Sequence, residues 1–199
     1  MWKRAFDIGF SFGTLLILVP LLIAMALWIK FDSPGPVFFR QTRVGRGGRE
    51  FRICKFRTMR ADAEQRGPQL TIGADRRITR SGAWLRKYKV DEIPQFFNVL
   101  FGDMSIVGPR PEVRRYVDLY APATRQSVLS VRPGITDLAS IEYRDENELL
   151  AASADPERTY VEQVLPAKLA LSERYIRERS FLGDLRIIGR SMTVSFTPH

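Results

Sequence analysis

This chain of 199 residues has one histidine, His199, and one cysteine, Cys54. A lone histidine argues against a Ser-His-Asp triad and against a His-based zinc site. A lone cysteine excludes an intramolecular disulfide and fits a reducing compartment. The glycine-rich phosphate loops are missing too. Gly45-Arg46-Gly47-Gly48 is not G-x-G-x-x-G, and nothing matches G-x-x-x-x-G-K-[ST]. No D-x-D pair, no internal repeat and no low-complexity segment occurs. There is no recognition helix, zinc finger or aromatic RNA-binding motif, so nucleic acid is the weaker reading of the basic balance. Any metal is therefore expected to be a hard cation such as Mg²⁺, held by carboxylates and phosphate oxygens.

What is present is basic and, at one end, apolar. Lys and Arg number 31 against 22 Asp and Glu, a formal net charge of +9. Between Arg40 and Arg60 arginines and one lysine face a single acid, Glu50. Such a band reads either as a patch for anionic headgroups or as a site for a phosphorylated ligand near a bilayer. Ile8 to Ile29 carries no charge. As a straight helix it is roughly 33 Å long, about one hydrocarbon thickness. Lys3 and Arg4 precede it; Lys30, Arg40, Arg43 and Arg46 follow. Positive charge holds to the cytoplasmic side, and here it asks both ends to stay there. Pro20 gives no N–H to the Leu16 carbonyl and predicts a kink. A plain span and a bent hairpin that re-enters the same face both fit.

The remainder suffices for one domain. FDSPGPVFF (31–39) reads as a turn leading into a strand, and Gly45, Gly47 and Gly48 as a hairpin turn before a strand at FRICKF (51–56). Met59 to Arg66 is helix-compatible, and Gly67 to Thr79 is a loop. Helices are expected at Ser81–Tyr88 and at Asp91–Phe101; Pro94 requires the second to begin near Asp91–Ile93. VGPRP (107–111) and VRPGIT (131–136) read as rigid loops. Glu112–Tyr120 and Pro156–Arg179 are helical by pattern, with Pro166 starting a new helix. Asp184–Phe196 is amphipathic, for core packing or a second membrane contact. The class is mixed α/β, helix-rich.

Asp91 and Glu92 are adjacent acids at a helix start. One reading is capping and dipole compensation. The other is chemistry: Arg86, Lys87 and Lys89 precede them, and a diphosphate with Mg²⁺ suits such a place. A carboxylate can attack phosphorus only where cations screen the repulsion of two anions. Lys55, Arg57, Arg86, Arg110 and Arg132 are the candidate cations.

Several segments agree at once on a family. KRAFDIGFSFGTLLILVPLL, SPGPVFFRQTRVGRGGREFRICKFRTM, LRKYKVDEIPQFFNVLFGDMSIVGPRPE and VRPGITDLASIEYRDE resemble, in order, the bacterial sugar transferases known as monotopic phosphoglycosyl transferases. The tail SFLGDLRIIGRSM is also similar. The length resembles the family's minimal catalytic core. The resemblance implies a re-entrant membrane helix over residues 1–31, bent at Pro20, and a catalytic domain over 32–199. It implies a UDP-sugar donor, a polyprenyl phosphate acceptor such as undecaprenyl phosphate, Mg²⁺, and residence in the bacterial inner membrane with the domain facing the cytoplasm. Membrane lipid and other glycan-pathway glycosyltransferases are the implied neighbours. By motif position Asp91 resembles the nucleophile that forms a covalent phosphosugar intermediate and releases UMP. Glu92 resembles its partner in metal binding or acceptor activation, so both acids are candidate Mg²⁺ ligands. Lys55, Arg86 and Arg110 resemble the motif cations, with Arg132 a weaker match. Val19 departs from the serine that often precedes the family's proline. The rival reading is a non-catalytic basic membrane-anchored scaffold, for which Asp91→Asn changes nothing but stability. A nucleic-acid-binding protein at the membrane is the second rival.

Overall fold

The computed structural model describes residues 2–63, 73 and 75–196. The uncharged run lies inside one helix, α1 (Trp2–Asp32), which stays helical across Pro20. One missing N–H removes one backbone bond, and the residues on either side are good helix formers that keep the rest. Among the described residues α1 is the one helix long and apolar enough to cross a membrane. Its middle is bare: Leu16, Ile17 and Ile23 are 64%, 77% and 56% exposed. Its two ends are not. At the amino end Arg4 donates to the carbonyls of Leu100 and Met104, and Phe6 packs edge-on against Phe181. At the carboxyl end Ile29 is buried with Phe56 and Leu85, and Asp32 accepts from the Ser81 N–H and hydroxyl. One folded body grips both ends.

That body begins with the hairpin β1 (Phe38–Val44) and β2 (Glu50–Phe56), antiparallel with Phe38 opposite Phe56 and Val44 opposite Glu50. Period-2 alternation puts Ile53 and Lys55 on one face. Ile53 is buried there with Val99 and Met104. Residues 64–72 and 74 lie outside the described residues. So do residues 64–66 of the helix expected over Met59–Arg66 and most of the loop expected over Gly67–Thr79; the described residues 59–63 form a bridge from Met59 to Ile78 and a tight turn in place of regular helix. Helix α2 (Arg80–Lys87) matches the expected basic helix and is capped by the Thr79 side chain, which accepts from Gly82 N–H.

The next helix differs from expectation. Val90–Glu92 forms a separate 3₁₀ turn, and regular helix α3 spans Gln95–Phe101. The Glu92 and Ile93 N–H groups bond three residues back, and Pro94 has no N–H to extend an α-ladder through the junction. Asp91 and Glu92 therefore sit on a tight turn, not on the helix. Gly102 ends α3 at φ +95, a conformation that glycine takes without strain.

The second half of the loop expected at 131–136 is instead a strand, β4 (Gly134–Thr136), which pairs in parallel with β3 (Ser105–Val107), the strand that runs into the loop expected at 107–111. Three-residue strands are too short to show a period. Gly108 and Gly134 allow the close crossing: a Cβ on Gly134 would lie 2.2 Å from Gly108 N. The expected helix 112–120 shrinks to α4 (Arg114–Val117), because Val113 is extended. Short helices α5 (Pro122–Val128), α6 (Leu138–Glu142), α7 (Glu146–Ala151) and α8 (Pro156–Thr159) follow. A π-turn, Tyr160–Val164, leads into α9 (Leu165–Glu178), where Pro166 sits in the first turn as expected. α10 (Phe181–Phe196) buries Ile187 in the core with Ile106, Val107 and Tyr175. Its Leu182 and Met192 stay outside, 67% and 56% exposed. The architecture is mixed α/β and helix-rich.

Candidate active site

Four elements converge on the acidic pair. β2 brings Lys55, the last turn of α2 brings Arg86, the 3₁₀ turn carries Asp91 and Glu92, and the loop after β3 brings Arg110. Lys89 makes the reversal possible. It stands at φ 56, and it is the one non-glycine residue at positive φ among those described. Such a conformation costs about 1–3 kcal/mol and persists where the surroundings enforce it.

Glu92 is fully engaged. Lys55 Nζ donates to its Oε1 at 2.7 Å, and Arg110 Nη2 donates to the same oxygen at 2.5 Å. Burial alone would push the Glu92 carboxyl up, but Arg110 and Lys55 together hold it well below the usual range. Burial lowers the Lys55 ammonium, and Glu92 opposes that. The Arg110 guanidinium is held more firmly protonated by Glu92. Asp91 is different. It is 7% exposed, and among the described residues no hydrogen bond or ion pair is made to its carboxylate. Burial raises its pKa; the Lys55 charge works against that rise, and Glu92 adds to it. The site thus holds one carboxylate locked between two cations and, beside it, one desolvated carboxylate with free lone pairs. Arg86 completes the cationic wall: its Nε donates to Thr58 Oγ1 at 2.9 Å, and its charge acts on Asp91.

Two of the expected phosphate cations are elsewhere. Arg57, 4% exposed, spends its guanidinium on α1: Nη2 reaches the Ser33 carbonyl at 2.7 Å and the Ser33 hydroxyl at 2.9 Å, and Nη1 reaches the Pro34 carbonyl at 2.8 Å. It closes the carboxyl end of the helix, where carbonyls lack partners. Arg132 Nε donates to the Gly102 carbonyl at 2.8 Å. None of their bonds reaches Asp91 or Glu92.

Three supporting residues escaped sequence reasoning. Asn98 clamps α3 to β2, accepting from Cys54 N–H at 2.9 Å and donating to the Arg52 carbonyl at 2.9 Å. A polar residue in the apolar run QFFNVLF was the available signal. Asp137 accepts from the Arg110 N–H at 3.2 Å. Thr58 gave no signal beyond its place in KFRTM.

Among the described residues no three acidic, cysteine or histidine groups form a ready-made metal cage. Mg²⁺ does not need one; it is commonly held by one or two carboxylates together with substrate phosphates and waters. The unbonded Asp91 oxygens fit that donor set. Glu92 Oε1, shared by two cations, fits it less directly. The residues suit an ion that arrives with a diphosphate.

A family model described as bacterial sugar transferase matches residues 1–198. A UDP-N-acetylgalactosamine-undecaprenyl-phosphate N-acetylgalactosaminephosphotransferase of Aeromonas hydrophila is 45% identical over 162 residues, covering 80% of this chain and 37% of that protein. The exopolysaccharide production protein PSS of Rhizobium leguminosarum bv. phaseoli is 42% identical over 193 residues, covering 94% of this chain and 90% of that one. A UDP-glucose:undecaprenyl-phosphate glucose-1-phosphate transferase of Escherichia coli K12 is 37% identical over 189 residues, 94% of this chain and 38% of the relative. The chain thus spans just over a third of the length of two of these relatives and most of the third.

Proposed function

Since this chain belongs to the bacterial sugar transferase family, we propose that it moves a sugar 1-phosphate from a UDP-sugar to undecaprenyl phosphate at the cytoplasmic face of the inner membrane. The observation that carries the reading is the contrast between the two acids: Glu92 is locked by Lys55 and Arg110, and Asp91 is buried, unbonded and faced by cations.

An Asp91 carboxylate oxygen attacks the phosphorus that bears the sugar. A new O–P bond forms as the bond from that phosphorus to the bridging oxygen breaks, and the oxygen leaves with UMP. An oxygen of undecaprenyl phosphate then attacks the same phosphorus, and the Asp91 O–P bond breaks. The carboxylate is restored and undecaprenyl diphosphate sugar departs. Desolvation favours Asp91 as nucleophile, since a carboxylate stripped of water is held less tightly in its ground state. Lys55, Arg86 and Arg110 draw the phosphate charge toward Asp91, which two anions would otherwise resist. Glu92 keeps Lys55 and Arg110 in place. Asp91, together with the donor's phosphate oxygens, would hold Mg²⁺, and the ion would supply charge neutralisation there.

The proposed topology rests on α1. A helix that crosses a bilayer leaves its ends on opposite faces. Here one body is bonded to Arg4 and Phe6 at one end and to Ile29 and Asp32 at the other, while the middle exposes Leu16, Ile17 and Ile23. That supports re-entry through the same face, with the bend at Pro20. Exposed aromatics surround both ends: Trp2 and Phe101 at one, Trp28, Phe31 and Trp84 at the other. Such residues settle at headgroup depth.

The test is UMP release from a panel of UDP-sugars with undecaprenyl phosphate and Mg²⁺. Wild type releases UMP with at least one donor and Asp91→Asn does not. Without acceptor, wild type gains the mass of one phosphosugar on the peptide bearing Asp91. Equal release by both proteins removes Asp91 from the centre of the reaction. For topology, cysteines at positions 3 and 30 in a Cys54→Ser background label from the same side; labelling from opposite sides rejects re-entry.

A further inference from the structure

Arg110 is delivered to Glu92 by a strand that α1 itself holds. In the parallel pair β3–β4, the Ser105 and Gly108 N–H groups bond across to the Pro133 and Thr136 carbonyls. The Ile106 N–H points the other way and has no strand to meet, although Ile106 is 4% exposed. A buried N–H must find an acceptor. Asp7, on α1, supplies it: Oδ1 accepts from Ile106 N–H at 3.3 Å, and Oδ2 accepts from Ser105 Oγ at 2.8 Å. Asp7 is itself 2% exposed. A carboxylate buried on the apolar face of a helix is costly unless it is bonded, and these two bonds are its compensation.

We propose that Asp7 is a positioning residue for catalysis, and that it sets the Arg110 guanidinium through β3. The inference rests on the transferase reading above. Little slack separates Ile106 from Arg110. The Val107 carbonyl lies 3.1 Å from the Tyr175 hydroxyl. A Cβ on Gly108 would meet the Arg132 carbonyl at 2.5 Å, so that crossing is already tight. Pro109 and Pro111 fix the backbone on either side of Arg110, and Asp137 accepts the Arg110 N–H at 3.2 Å. A shift of β3 is therefore passed to Arg110, and from Arg110 to the oxygen it shares with Lys55. Docking of α1 and assembly of the cationic site become one event. The enzyme is complete only when the membrane helix is seated.

The test uses the full chain in lipid nanodiscs and compares Asp7→Ala, Asp7→Asn, Lys3→Met, Arg110→Lys and the Asp7→Ala/Arg110→Lys double variant. A misplacement near 1 Å costs on the order of 100-fold in turnover. Asp7→Ala is expected to lose about that factor in kcat with its membrane association intact. Asp7→Asn keeps part of the activity, because its Oδ1 still accepts from Ile106 N–H. In the Arg110→Lys background Asp7→Ala costs far less, because the group it positions is already gone. Lys3 ties α1 to Asp184 and reaches β3 only indirectly, through the Tyr175 hydroxyl that Asp184 shares with the Val107 carbonyl, so Lys3→Met keeps kcat within a few-fold of wild type. Amide exchange over residues 105–110 speeds up in Asp7→Ala and not in Lys3→Met. Wild-type turnover in Asp7→Ala, an equal fold-loss in the Arg110→Lys background, or the same loss in Lys3→Met overturns the inference. If wild type releases no UMP from any donor, the transferase reading fails. The exchange measurement then judges the Asp7–β3 link by itself, and unchanged exchange rejects it.

Discussion

Replacing Glu92 with glutamine tests the electrostatic core of the site. The Glu92, Lys55 and Arg110 side chains are 16%, 18% and 31% exposed, so water screens them poorly. Lys55 Nζ and Arg110 Nη2 share one oxygen and cannot lie more than about 5 Å apart; at an effective dielectric of about 20 their repulsion is roughly 3 kcal/mol once the acid is neutral. Breaking a buried pair by removing one partner costs about 3–5 kcal/mol. Glutamine keeps an acceptor oxygen, which favours the lower figure. At about 2–4 °C per kcal/mol for a chain of this size, Glu92→Gln should lower Tm by roughly 6–12 °C. Near-UV circular dichroism on protein in detergent micelles measures this. The pH dependence has a definite sign. Because the folded pKa of Glu92 is depressed, its contribution is complete above the ordinary glutamate value of about 4.3 and is lost as pH falls through the depressed value. The gap between wild type and variant should thus be flat from pH 5 to 7 and close only in stronger acid. Lys55→Met in the Glu92→Gln background removes the repulsion and should recover at least about 1 kcal/mol relative to additivity. A loss under about 1 kcal/mol, or strict additivity, would refute the picture of Glu92 as counter-ion to two desolvated cations.

Other perturbations separate binding from architecture. Arg57→Met strips donors from the carboxyl end of α1 and should cost about 2–4 kcal/mol in chemical unfolding, while the KM for the UDP-sugar stays within about twofold, because the guanidinium does not face the acids. Asp91→Asn should abolish turnover yet stabilise the fold at neutral pH. Burial raises the Asp91 pKa, so the contribution of this one group to native stability is complete below the ordinary aspartate value of about 3.9 and is lost as pH rises through the folded value. Urea unfolding at pH 3 and pH 7 should show the Asn variant gaining on wild type at the higher pH. Gly134→Ala drives a methyl into the backbone of Gly108 and should separate β3 from β4, with a loss of about 1–3 kcal/mol or more; a soluble, fully active Gly134→Ala protein would reject that crossing.

Much of this molecule is legible in its residues. The uncharged run with cations at both ends marks α1, the one helix among the described residues long and apolar enough to cross a membrane, because a hydrocarbon interior excludes charge whatever the fold. Alternation at FRICKF and the glycines before it specify the hairpin, and Pro166 marks the start of α9. Asp91-Glu92 beside a basic run marks the candidate site. Less local features are not legible. Asp91 and Glu92 look equivalent in sequence, yet one is paired and one is bare, because only Glu92 points at both Lys55 and Arg110. The strands β3 and β4 are too short for a period, and their pairing joins residues 29 positions apart, Ser105 to Gly134 and Val107 to Thr136.

The cations show the division most plainly. Lys55 and Arg57 stand two residues apart in a basic stretch, and charge and spacing treat them alike. β2 ends at Phe56, and past that point the chain turns Arg57 toward the open carbonyls of α1 while Lys55 stays on the face that meets Glu92. Sequence by itself determined how many charges the chain carries, which segment avoids water and which acids stand together, since those depend on composition and local spacing. Tertiary structure decided which cation neutralises which anion. A charge is spent on whatever unpaired oxygen lies within a side chain's reach, and only the folded chain brings those oxygens there.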